Sequence, residues 1–198
     1  MAVRIKSKWH HTKRKGNLRG GRKKTLEDRA NVLAHNIWKI AFASYKHLEE
    51  EKFKFDTGPQ ITLALTEIVA FLIQVADRTV FGQINEEDRK TMVEVLGKQL
   101  AATIDDNLTE LLGAGDYRKS FIDTLNQRFQ SYAQCAYGDE GPEYSFLRLF
   151  GDSLAQAMAA ANNKWVVEYV MEIEAPLALK LLYKTVAEVL GVKAPQLS

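Results

Sequence analysis

The chain has 198 residues, 46% hydrophobic and 26% charged, a length that suits one domain able to bury roughly 70% of its unfolded surface. One cysteine, four prolines and twelve glycines exclude an intrachain disulfide, a cysteine-based zinc module and collagen-like or proline-rich classes. The net charge of +2 conceals how the charges are placed.

Residues 1–24 contain Arg4, Lys6, Lys8, Lys13, Arg14, Lys15, Arg19, Arg22, Lys23 and Lys24 and no acid, a charge of +10. The other 174 residues hold 17 basic and 25 acidic side chains, a charge of −8. Segregation of this kind points to an anionic partner. The basic segment has no apolar run of the kind a secretory signal needs, and it is too poor in serine and apolar faces for a transit peptide. Gly16, Gly20 and Gly21 disfavour helix in its second half. It reads as an extended, flexible arm that a partner orders.

The body reads as one all-α bundle of six or seven helices over residues 25–191, followed by a short tail at 192–198. Thr25 caps the first helix, whose stripe is Leu26, Ala30, Leu33, Ile37, Ile40 and Ser44, broken only by the small Ser44. Pro59 opens the second, which is apolar from Ile61 to Ala76 apart from Thr62, Thr66, Glu67 and Gln74. That stretch is shorter than a membrane span of about 20 residues, so a buried helix and no transmembrane segment are expected. Asn85 caps the third helix, with the stripe Met92, Leu96, Leu100, Ile104, Leu108 and Leu111, and Gly113-Ala114-Gly115 ends it.

Asp116 is the expected cap of the fourth helix, whose stripe is Tyr117, Phe121, Leu125, Phe129 or Arg128, Tyr132 and Ala136. A glycine-rich loop then restarts helix at Pro142, and this helix carries Leu147, Phe150, Leu154, Ala157, Met158 and Ala161. Asn162-Asn163 breaks that helix. Trp165, Tyr169, Val170 and Ile173 form the next stripe, Pro176 kinks or restarts the chain, and Leu177, Leu181, Leu182, Val186 and Leu190 complete the last helix before Gly191.

No residue pattern carries recognisable catalysis. The four histidines form no metal-binding pair, and no nucleotide-binding loop follows a strand, so no metal site and no cofactor are expected. Cys135 reads as a packing residue. One polar feature stands out: Gln60, Glu67 and Gln74 recur every seven residues and share a face of the apolar helix. The simpler reading is a thin solvated stripe. The sharper one is a buried polar seam in which Glu67 pairs with Arg78, Arg128 or Arg148, because a buried charge needs a partner.

The expected function is therefore that of a non-enzymatic, cytoplasmic binding or assembly protein whose arm docks on nucleic acid, RNA or DNA. Lysine and arginine would neutralise phosphates and Trp9 would stack on a base. The alternative is an interaction or scaffold protein whose arm docks on an acidic protein surface or a neighbouring subunit of a homo-oligomer. An anionic membrane surface ranks below both. A third class is a small-molecule binder or enzyme with a polar pocket at Glu67.

Overall fold

Local capping chemistry sets the starts of the first three helices in the computed structural model, which describes residues 24–55, 57–159 and 165–196. Helix α1 (Leu26–Glu50) begins with a reciprocal cap. The Thr25 hydroxyl accepts from the Asp28 N–H at 3.1 Å, and the Asp28 carboxylate accepts from the Thr25 N–H at 3.1 Å. Two backbone donors that no helical carbonyl can reach are thereby satisfied. Thr57 and Gln60 repeat the device at the start of α2 (Gly58–Val80). At α3 (Glu86–Leu112) the Asn85 side chain accepts from the Asp88 N–H at 2.8 Å, with Glu86, Glu87 and Asp88 in the favourable first turn.

Helix α4 (Tyr117–Tyr132) departs from the expected pattern at both ends. Asp116 stands at the cap position, but its ψ of 55° turns it away from the extended geometry, and its side chain makes no capping bond. The helix also stops before Ala136, which is exposed. The next residues form a minimal hairpin, β1 (Tyr137–Gly138) against β2 (Gly141–Pro142), antiparallel. Helix α5 (Tyr144–Ala157) accordingly starts past Pro142, not at it.

The C-terminal helical run has no break at Pro176. Helix α6 (Val166–Tyr169) passes through a π turn (Val170–Glu174) directly into α7 (Ala175–Leu190). The Ala175 N–H donates to the Val170 carbonyl, five residues back. Proline lacks an N–H and its ring crowds the carbonyl four residues earlier, and the wider turn just before it relieves that conflict. Gly191, at φ 74°, ends the run in the left-handed conformation.

Helix α2 is the centre of the molecule, in contact with α1, α3, α4, α5 and α7. Its 23 residues exceed the expected stretch because Asp77 and Arg78 belong to the helix. By length and composition it could cross a membrane; in this fold it is covered by neighbouring helices, and every residue from Leu65 to Asp77 is buried. Phe71 stacks on Phe150 at 4.0 Å and meets Phe146 edge-on, joining α2 to α5.

Candidate functional site

The polar residues of α2 are arranged in layers. Gln60 is half-buried at the helix start, where it closes the cap. Glu67 and Gln74, at 7% and 2% exposure, are buried, so no solvated stripe runs along this face. Arg128 of α4 reaches Glu67 with two parallel hydrogen bonds, Nε to Oε2 at 2.6 Å and Nη2 to Oε1 at 2.7 Å. This two-pronged geometry is the strongest form of an arginine–carboxylate contact. The hydrogen bond to Glu67 raises the Arg128 pKa against the opposing effect of burial. Next to the pair, the Tyr132 hydroxyl is buried with no hydrogen-bond partner among the described residues, and burial pushes its pKa well above the usual value.

The other two arginines weighed as partners lie elsewhere. Arg148 is exposed on α5 and pairs with Asp152 at 2.9 Å, four residues on. It takes no part in the seam, because its helical position faces solvent. Arg78 is half-buried near the end of α2 and donates to the Tyr132 carbonyl at 3.3 Å. Its neighbour Asp77 turns the opposite way and is held by Arg89 at 2.7 and 2.8 Å.

One turn further, three elements are tied by hydroxyl groups. Thr79 donates to the Val75 carbonyl at 2.8 Å. Its oxygen is then left to accept from Tyr137 at 3.1 Å, and Tyr137 accepts from Tyr183 at 3.1 Å. Burial raises the pKa of both tyrosines, which keeps the chain protonated. Gly141 makes room for it: at φ 118° a side chain would be strained, and a Cβ there would collide with the Tyr183 hydroxyl.

The tail after α7 is strapped down by a single amide. Gln83 accepts from the Lys193 N–H at 2.8 Å, and its nitrogen donates to the Lys193 carbonyl at 2.7 Å. Two clefts flank this strap. One, about 470 Å3, lies among the end of α2, the hairpin and the tail, and includes Arg78 and Lys193. The other, about 770 Å3, lies between the tail and α7 and includes Lys180, Lys184 and Lys193. The acidic body thus gathers four cationic side chains around its tail. A smaller apolar notch of about 180 Å3 opens beside Leu63.

No protein-family model, curated protein or solved structure matches this chain.

Of the basic segment, Lys24 alone belongs to the described residues, and it is exposed. Arg4, Lys6, Lys8, Trp9, Lys13, Arg14, Lys15, Arg19, Arg22 and Lys23 lie outside them. Both Glu67 oxygens are taken by Arg128, and Glu67 lines none of the clefts at Arg78, Lys180 and Leu63. Among the described residues, no three His, Cys, Asp or Glu side chains are placed to hold a metal ion.

A third buried carboxylate joins Glu67 and Asp77, and its partner could not be read from the sequence. Glu174, in the π turn and 3% exposed, pairs with His47 of α1 at 2.6 Å. The hydrogen bond that His47 donates to Glu174 raises the His47 pKa, against desolvation, with smaller contributions from Glu51 and Glu50. The residues are 127 positions apart, so no local spacing marks them. The clustering of Lys180, Lys184 and Lys193 likewise depends on the tail folding back.

Proposed function

We propose that this chain is a non-enzymatic, cytoplasmic binding or assembly protein whose basic segment docks on nucleic acid. The observation that carries this reading is the uneven distribution of charge: +10 with no acid in residues 1–24 against −8 in the rest. Cations on a glycine-containing chain can follow a phosphate backbone, and Trp9 offers a ring to a base. The body acts in this reading as a folded anchor whose strongest internal charges, Glu67 with Arg128 and Asp77 with Arg89, are spent on each other.

Binding to RNA or DNA measured against salt tests it. The expected outcome is a log–log slope near −0.7 to −0.9 per phosphate engaged, abolished by deletion of residues 1–24 with the helical circular dichroism retained. Affinity unchanged by that deletion overturns the reading.

The charge of −8 on the body favours a second reading, in which the segment docks on an acidic partner or a neighbouring copy of this chain. Light scattering at low and high salt separates the two. Oligomers that fall apart on truncation, with no affinity for nucleic acid, favour self-docking.

A further inference from the structure

Arg78, like Arg29, donates to a backbone carbonyl and holds no carboxylate among the described residues, but Arg78 alone of the two lines a cleft. Arg89, Arg128 and Arg148 each hold a carboxylate. Arg78 is half-buried and has none among the described residues; its one hydrogen bond, to the Tyr132 carbonyl, leaves most of its five donors open. It lines the 470 Å3 cleft together with Lys193, whose backbone is fixed by both ends of the Gln83 amide. Neither cation is ion-paired among the described residues, and with Asp139 as the one carboxylate in the lining the cleft keeps a net positive charge, which favours an anion.

The rest of the lining says more about that anion. Phe81 is 64% exposed at the cleft, with the Arg89 guanidinium 5.0 Å from its ring centre. Asp139 lines the same cleft from the hairpin and has no hydrogen-bond or ion-pair partner among the described residues. A bare phosphate would leave most of this volume empty, and Asp139 would repel it. A ligand with a phosphate, hydroxyl groups and a flat ring uses each group: cations for the phosphate, a carboxylate to accept from hydroxyls, an aromatic face for the ring. The volume lies within the range of small-molecule sites.

We propose that the cleft between Arg78, Lys193, Asp139 and Phe81 binds a nucleoside monophosphate unit, either as a free nucleotide or as part of a single strand. Its described lining comes from the end of α2, the hairpin and the tail.

Calorimetric titration of the full chain at physiological salt tests it, with adenosine monophosphate, uridine monophosphate, adenosine, inorganic phosphate and a short single-stranded oligonucleotide as probes. At least one monophosphate is expected to bind about tenfold more tightly than adenosine or phosphate alone. Arg78→Gln and Lys193→Gln are each expected to weaken it by about tenfold, the effect of one charge-assisted hydrogen bond. Lys193→Gln keeps the strap, which uses only backbone atoms of that residue, so a folding defect in Arg78→Gln leaves the test intact. Loss confined to the oligonucleotide assigns the unit to a strand; loss with the monophosphates assigns it to free nucleotide. Binding of every probe unchanged in both variants, or no binding at all, overturns the proposal. Because the free nucleotides carry too few phosphates to depend on the basic segment, the nucleic-acid reading of that segment can fail while this one holds.

Discussion

Glu67 and Arg128 sit almost out of water, and each makes the other tolerable. Glu67→Gln leaves a guanidinium buried against a neutral amide and is expected to cost about 3–5 kcal/mol in urea denaturation. Replacing both, as Glu67→Leu with Arg128→Met, is expected to recover most of that loss, since well-packed apolar pairs often match a buried ion pair. A double variant as unstable as the single one would assign the pair a larger role. Tyr132→Phe works in the opposite sense: it removes a buried hydroxyl without a partner among the described residues and is expected to be neutral or to stabilise by about 1 kcal/mol. At this scale much was legible in the sequence. Thr25, Thr57 and Asn85 act within three residues of themselves, so their capping could be read directly. That Glu67 needed a cation followed from its apolar surroundings. Which of three arginines would supply it did not, because Arg128 lies 61 residues away and only the docking of α4 on α2 selects it.

Between elements, the His47–Glu174 contact joins α1 to the π turn and makes stability depend on pH. The folded pKa of His47 lies above its ordinary 6.5, so the folded state binds the proton more tightly than the unfolded state. Its contribution is therefore complete below pH 6.5 and is lost as pH rises through the raised folded value. Denaturation midpoints across pH 5.5–9 in His47→Gln are expected to lack the decline seen in the unaltered chain over that window. The hairpin offers a second test. Gly141→Ala imposes a strained φ and crowds Tyr183, and it is expected to cost about 1–3 kcal/mol. The π turn also accounts for the apolar residues that fell on the wrong face. Regular helical spacing placed Trp165, Ile173, Leu177 and Leu181 inward, yet they are 73%, 44%, 48% and 51% exposed. The residues facing the core are Val166, Val170, Ala178, Leu179, Leu182 and Val186. A wide turn changes the angular step per residue midway, and α7 is rich enough in leucine on both sides to hide the shift.

For the whole molecule, the all-α bundle was readable because six helices each carried their own periodic signal and end chemistry. The central position of α2 was readable too, since a helix apolar on nearly all sides must be surrounded. Its length was underestimated because Asp77, Arg78, Thr79 and Val80 continue the helix, with Asp77 paired to Arg89 inside the fold. The clefts were beyond reach, because they depend on a tail returning across 110 residues to Gln83. That strap has one more consequence. Lys193 and the residues after it form the common wall of both clefts, so a lone glutamine maintains a partition between two compartments. Gln83→Leu should release it and merge them into a single trough with Arg78, Lys180 and Lys184 along its sides. Faster hydrogen exchange at the Lys193 amide, with the helices still protected, would report the opening; an amide as slow as before would mean that packing of Val192 and Ala194 holds the wall without Gln83.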